Sequence, residues 1–446
     1  MAVEVSRAGE ATERRKTRWG ENPWWIPPFL GHVPDNIEQR LVDLLGFVAL
    51  ALLFENYDFS LLNAALKHIA HDLNIAENDL GYFTSMVRLG ALPAFALIPA
   101  ADYIGRRRLF LASVVGLSVG TFVTAFSQTP AQFVLCQIVT RTFMLTAASV
   151  AFVFVTEEYP AEHRGWGIGM LAAIASTGYG LGALLFAAVD SLPWGWRSLY
   201  FIGLTPVLFL PFFRRNINET KRFTDHDSKR VHVAGVRAAL LAWFRPLLAL
   251  AQHNRARVVG IVVVGGVGSF GEAVVHAFIG YFVLTVHGWQ PWQYSIMVVV
   301  CGAVGIGGGV VAGRLADTFG RRAIGFAFLA AFPLISWAFF RGPSWSLPIV
   351  WIAIVFATMA SNVIVRALST ELFPTSQRAT SAGMLSLAET VGAGVGLVTL
   401  SWLSHQRGDL VTMLPVVASA TLISAFLLLL FPETKKAELE SISRES

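Results

Sequence analysis

The sequence predicts an all-α integral membrane protein: twelve transmembrane helices in two six-helix bundles, related by a pseudo-two-fold axis along the membrane normal. Composition, the spacing of apolar runs and an internal repeat predict it together. Of the 446 residues, 54% are hydrophobic and only 14% charged, whereas soluble domains carry about one-quarter charged residues. A soluble enzyme of this length needs more charged surface than the chain can supply. Crossing a hydrocarbon core of about 30 Å takes about 20 apolar helical residues, and the chain offers twelve such runs.

Residues 1–43 form a cytoplasmic N-terminal segment. Its first 18 residues are polar and basic, without the apolar centre of a cleavable signal. Residues 20–43, with Trp24, Trp25 and Pro27-Pro28 before an amphipathic stretch, are expected along the inner interface. The first bundle, 44–213, holds runs 44–66, 80–101, 109–127, 132–156, 166–189 and 198–213, the sixth being short. A cytoplasmic linker, 214–257, follows. The second bundle, 258–431, holds runs 258–286, 293–313, 323–340, 347–370, 379–402 and 410–431, and a cytoplasmic tail spans 432–446.

Orientation follows from the basic residues. Of the 34 Lys and Arg, 27 fall on the side of both termini and 4 on the other. Both termini are therefore expected in the cytoplasm, with the chain in the cell (plasma or inner) membrane. The net charge of +5 reflects topology and not a nucleic-acid footprint. Cys136 and Cys301 are the two cysteines; they exclude a disulfide framework and a cysteine-rich zinc module, and read as packing residues. No metal-ligand cluster, cofactor motif or nucleophile–base constellation is present, so neither a cofactor nor an enzyme is expected. Gly266-Val-Gly268-Ser-Phe-Gly271 spells a dinucleotide fingerprint but lies in an apolar run without a βαβ unit. Those glycines, with Gly178, Gly180, Gly182, Gly307–Gly309, Gly392, Gly394 and Gly396, are expected to allow close helix approach or local unwinding.

Three motifs recur in one order at one offset. Asp102-Tyr-Ile-Gly105-Arg106-Arg107 returns as Asp317-Thr-Phe-Gly320-Arg321-Arg322, 215 residues on. Glu157-x-x-Pro160-x-x-x-Arg164 returns 214 residues on as Glu371-x-x-Pro374-x-x-x-Arg378, and Asn218-Glu-Thr-Lys221 as Pro432-Glu-Thr-Lys435. Each follows the second, fourth or sixth run of its set. Parallel repeats of this kind place a site at their interface near the midplane.

On these motifs the chain resembles the major facilitator superfamily over nearly its whole length, and within it the sugar-porter and metabolite–proton-symporter branches. It departs at Ile98, where the first motif usually has a glycine (Gly313 keeps it in the second half), and at Asn218-Glu-Thr-Lys-Arg222. The seventh run reads Gly268-Ser-Phe-Gly-Glu-Ala-Val-Val-His276 and lacks the paired glutamines of sugar porters, so a sugar is a poor first guess. The resemblance implies a secondary transporter working by alternating access. Asp102, Gly105, Arg106, Arg107, Glu157 and Arg164, with Asp317, Gly320, Arg321, Arg322, Glu371 and Arg378, are then expected as a cytoplasmic gate that holds helix ends in one conformation and releases them in the other.

Charges inside the runs are costly, about 2.5–3.5 kcal/mol each at the centre, and usually functional. Besides histidine they are Glu55, Asp58, Arg88, Arg141, Glu272, Arg366 and Glu389. Asn56-Tyr57-Asp58-Phe59 resembles the Tyr-Asp element of proton symporters, whose Asp carries the coupled proton. Adding the repeat offset to Asp58 gives Glu272, and His276, one turn on, is placed to share its proton. Glu389 is a second proton site or a partner for Arg366. Glu55 is expected nearer the outer mouth. The branch's fourth-run arginine corresponds to Gln137, and Arg141 lies one turn beyond; it pairs with Asp58 or receives a substrate carboxylate. Substrate-binding candidates are Glu55, Tyr57, Arg88, Gln137, Arg141, Phe270, Tyr281, Asn362 and Arg366, with Tyr179 a further cavity residue. The reading is a proton-coupled symporter of a small polar metabolite, leaning to an organic anion, functional as a monomer. The alternatives are a drug or organic-cation antiporter, which the lack of proline in Gly167 to Ala183 disfavours, a sugar–proton symporter, and a non-transporting receptor or channel.

Overall fold

A computed structural model describes residues 23, 25–26, 32–34, 37–220, 255–373 and 377–433. Twelve helices among them are long and apolar enough to cross a membrane. The first half comprises α1 (Gln39–Asp72), α2 (Glu77–Ile104), α3 (Arg106–Thr124), α4 (Pro130–Glu158), α5 (Arg164–Phe186) and α6 (Trp196–Asn216). The second comprises α7 (Arg255–Thr285), α8 (Pro291–Phe319), α9 (Arg321–Arg341), α10 (Ser344–Glu371), α11 (Thr380–Arg407) and α12 (Leu410–Leu428). The short sixth run is thus a 21-residue span. Residues 20–22, 24, 27–31, 35 and 36 of the proposed interfacial stretch lie outside the described residues, as do 221–254 of the linker, 434–446 of the tail, and Pro374. Where that stretch is described it is no separate element: α1 already begins at Gln39, and Arg40 pairs with Glu158 at 3.0 Å.

Local chemistry sets the helix ends and breaks. Thr129 caps α4, accepting from the Gln132 amide ahead of Pro130. The turns into α3 and α9 need positive φ, supplied by Gly105 (101°) and Gly320 (103°). Within α2 the helix Leu80–Leu89 stops at Gly90 and resumes at Ala94 after Pro93. In α8 the segment Met297–Cys301 is a π turn. Subtracting the repeat offset places the π turn at 83–87, about one turn before the α2 break, so each half carries a helix irregularity in this region.

The repeat is also written into the packing. A Cβ at Gly178 of α5 would overlap the Leu53 carbonyl of α1, and one at Gly392 of α11 would overlap the Gly266 carbonyl of α7. Gly182 against Tyr57 and Gly396 against Phe270 repeat the arrangement one turn on. Small residues at i, i+4 let the two backbones approach. Gly180 instead faces open space.

Buried apolar residues form three clusters. One, containing Leu61, Phe83, Phe186, Phe278, Tyr294 and Leu414, draws on both halves. The other two are each confined to one half: Leu45, Phe110, Phe154 and Phe213 in the first, Ile261, Leu329, Ile364 and Leu428 in the second. The shared core lies away from the termini, on what we call the far side; the separate cores lie toward the termini, on the near side. Hydrogen bonds between halves follow the shared core. Lys67 Nζ donates to the Leu284 carbonyl (2.7 Å), the Tyr82 amide to Ser401 Oγ (3.0 Å), Ser85 Oγ to the Gly394 carbonyl (2.9 Å), and Asp79 pairs with His405 (2.8 Å). Two contacts are repeat-related: Gly81 abuts the Leu397 carbonyl, and Ser295 Oγ, 214 residues after Gly81, donates to the Ala183 carbonyl, 214 before Leu397. The halves close at the far side and have unshared cores at the near side.

Candidate functional site

Each half has a carboxylate at the repeat-equivalent position of its first helix, Asp58 and Glu272, contacted by the fourth helix of the same half. Asp58 on α1 is 1% exposed. Its Oδ1 accepts from Thr121 Oγ1 of α3 (3.0 Å) and Gln137 Nε2 of α4 (3.5 Å). Its Oδ2 has no hydrogen bond and faces Arg141 Nη2 at 3.7 Å. Gln137 also donates to Thr124 Oγ1 at 3.3 Å. Gln137 and Arg141, one turn apart, therefore both reach Asp58. On α7, Glu272 Oε1 accepts from Ser361 Oγ of α10 at 3.0 Å. The expected proton-sharing contact with His276 is corrected: its Nδ1 meets the Glu272 main-chain carbonyl at 3.0 Å, and its ring packs on Trp351. An i+4 histidine on a helix reaches the backbone more readily than a carboxylate pointing elsewhere on the turn.

Glu389 and Arg366 form an ion pair at 2.8 Å, with side-chain exposures of 16% and 54%. The guanidinium of Arg88 lies 5.3 Å from the Phe59 ring centroid and that of Arg141 4.9 Å from the same ring. Tyr179 flanks Phe59 at 6.2 Å. Arg88 of the first half lies within electrostatic range of Glu389 and His276 of the second. These side chains therefore border one space between the halves.

Other candidates are placed differently. Glu55 lies one turn from Asp58 toward the near side, not at the outer mouth, because α1 runs from near to far; Arg141 acts on it electrostatically. Tyr57 is fully buried, its hydroxyl donating to the Leu199 carbonyl at 2.8 Å. Tyr281 is buried in the far-side core. Asn362 Nδ2 donates to Thr358 of its own helix (2.9 Å), and the Phe270 carbonyl meets Gly396.

At the near side the repeated motifs form two matching networks. Arg106 pairs with Asp102 (2.8 Å) and Glu157 (3.1 Å); Arg321 pairs with Asp317 (3.7 Å) and Glu371 (2.8 Å). Arg164 and Arg378 stand apart, at 3.5 Å and 3.4 Å from the carbonyls of Tyr159 and Phe373. Sequence reasoning assigned no role to Glu219 and Glu433, although both lie in the third repeated motif. Glu219 accepts from the Arg107 amide, 3.2 Å to each oxygen; Glu433 accepts from the amides of Arg321 (2.9 Å) and Arg322 (3.1 Å). A carboxylate on a helix N-terminus satisfies orphan amides and the helix dipole. Arg107 returns bonds to the carbonyls of Ile217 (2.6 Å) and Arg214 (2.5 Å), and Arg322 to that of Leu429. All these ties lie within one half, so they brace each bundle end and do not by themselves bridge the halves. Thr121, Phe59 and Ser361 were also missed; a hydroxyl or an aromatic ring in an apolar run gives no signal of its own.

The sequence profile of the Major Facilitator Superfamily matches residues 48–396. The chain is 23% identical to a Bacillus subtilis (strain 168) protein named provisionally as a niacin/nicotinamide transporter, over 91% of this chain and 98% of that one. It is equally 23% identical to a provisionally named metabolite transport protein of Haemophilus influenzae, over 86% and 95%. The crystal structure of a D-xylose-proton symporter superposes with a TM-score of 0.70 at 16% identity, covering 90% of this chain and 100% of that one.

Proposed function

The chain belongs to the major facilitator superfamily, and from that premise we propose that it is a proton-coupled symporter of a small organic anion. It is a multi-pass membrane transporter and not an enzyme. One observation carries the proton coupling: Asp58 is buried in the first helix, with one oxygen bonded by neutral donors and the other left to a guanidinium at 3.7 Å. A carboxylate so placed changes its proton affinity when its solvation or its arginine moves. Glu272 is the equivalent acid of the second half, and Glu389 with Arg366 a further charged pair in the same space. The relative provisionally named for niacin and nicotinamide has a carboxylate as one of its two named solutes, which is compatible with an anionic one.

The structure is closed at the far side and unshared at the near side. With the basic residues placing the near side in the cytoplasm, this is the inward-facing state, and rocking of the braced halves gives the outward-facing one. A monoanion crossing with one proton moves no net charge, so its accumulation is driven by the pH difference, about 1.4 kcal/mol or tenfold per pH unit; the roughly 2.3 kcal/mol that 100 mV gives a moving charge would act only on an uncharged solute carried with a proton. In reconstituted vesicles, solute uptake should carry protons, and Asp58→Asn should keep downhill exchange while losing uphill accumulation. Uphill accumulation by Asp58→Asn at the parent level removes Asp58 from the coupling role.

A further inference from the structure

We infer that Arg88 is the residue that receives the carboxylate of the transported anion, whereas Arg141 serves Asp58. This deepens the organic-anion reading above and rests on it. Three arginines, Arg88, Arg141 and Arg366, lie inside the apolar runs. Arg366 closes on Glu389 at 2.8 Å and Arg141 faces Asp58 at 3.7 Å. Arg88 makes no ion pair and no side-chain hydrogen bond among the described residues; its guanidinium rests on the Phe59 ring. The Arg88 side chain is half-buried, and aromatic contact replaces only part of the hydration it has lost. Arg141 shares the same ring, so two like charges are held close together in a low-dielectric setting. An anion held on Arg88 relieves that repulsion while Arg141 stays with Asp58.

The backbone is arranged for the same task. Arg88 sits in the last turn before α2 breaks at Gly90, where Thr142 of α4 donates to the freed Gly90 carbonyl at 2.9 Å. Helix discontinuities near the midplane are where transporters build sites, and α8 carries its π turn about one turn from the position equivalent to the α2 break. The carbonyl end of the broken helix offers Arg88 some negative potential but no charge. A guanidinium with no acid partner among the described residues selects a monocarboxylate, whose two oxygens match its fork.

Equilibrium binding to the detergent-solubilised full chain tests this without any proton gradient, so failure of the symport reading leaves it separately decidable. The probes are benzoate, nicotinate and acetate, each against its amide. The parent should prefer at least one acid over its amide by about tenfold or more, the range for losing a charged hydrogen bond. Arg88→Gln should abolish that preference, Arg88→Lys should keep part of it, and Arg141→Gln should keep it while altering the pH dependence of binding. Thermal melting of each variant shows whether it folds, and Arg88→Lys supplies the readout if Arg88→Gln does not. No preference for any acid in the parent, or a preference that survives Arg88→Gln, overturns the assignment. So does a preference lost in Arg141→Gln alone, or an Arg88→Gln that only lowers the melting temperature.

Discussion

Single side chains in the central space differ in how well their charges are met, and that difference decides what each substitution should do. The Arg366–Glu389 pair is tight, but one partner is half exposed, so its net contribution to stability is small while the cost of orphaning Glu389 is larger. Glu389→Gln and Arg366→Gln should each lower the melting temperature, and the double variant should lose less than their sum. A coupling of about 0.5–3 kcal/mol is expected from a thermodynamic cycle on neighbours in contact; strict additivity would mean the pair does not interact in the membrane. Asp58 was legible because an acid in an apolar run is expensive and conspicuous. Its neutral donors Thr121 and Gln137 were not equally so: glutamine stood out only where an arginine was expected, and threonine not at all. The main-chain contact of His276 was not legible for a related reason, since helical spacing says which residues share a face but not whether a ring turns to the backbone or to a side chain.

Helices meet where their surfaces are smallest, and here the repeat makes the test internally controlled. Gly178→Leu should prevent α1 from seating on α5, and Gly392→Leu should do the same between α7 and α11, because a side chain at either position overlaps a carbonyl. Overpacking of this kind costs about 1–3 kcal/mol or more. Gly180→Ala meets open space and should leave size-exclusion profile and melting temperature near the parent. If all three variants behave alike, close approach is not what these glycines provide. The near-side networks act on the same scale. Neutralising Asp102 weakens the brace that Arg106 makes with Glu157, so Asp102→Asn should slow transport with substrate affinity nearly intact. An equal loss of affinity would place Asp102 in binding instead. The glycine pairs and the charged motifs were readable from spacing alone. The capping by Glu219 and Glu433 was not, because it joins the sixth helix of each half to the third across more than 100 residues of chain.

For the molecule as a whole, twelve spans, two halves and their parallel relation followed from the sequence, because hydrophobic length and a 214-residue repeat are both one-dimensional signals. Which side is closed was invisible to it. That depends on a core shared by two halves that must also come apart, and a sequence compatible with both conformations favours neither in its pattern. The far-side closure rests on backbone contacts at Gly81 and Ser295 and on the Asp79–His405 pair, so it can be biased without touching the central charges. Moving a two-state equilibrium from 1:99 to 99:1 takes about 5.5 kcal/mol, and about 1.4 kcal/mol moves it tenfold. Gly81→Leu forces a side chain into the Leu397 carbonyl only when the far side is closed, at about 1–3 kcal/mol. It should therefore raise the far-open population about tenfold or more. In a background with Cys136 and Cys301 replaced by alanine, Tyr281→Cys reports on this directly, because Tyr281 is buried within the closure. A membrane-impermeant thiol reagent added at the far side should label that cysteine slowly in the parent and about tenfold faster with Gly81→Leu. Equal labelling in the two would mean that the Gly81 contact does not hold the halves shut.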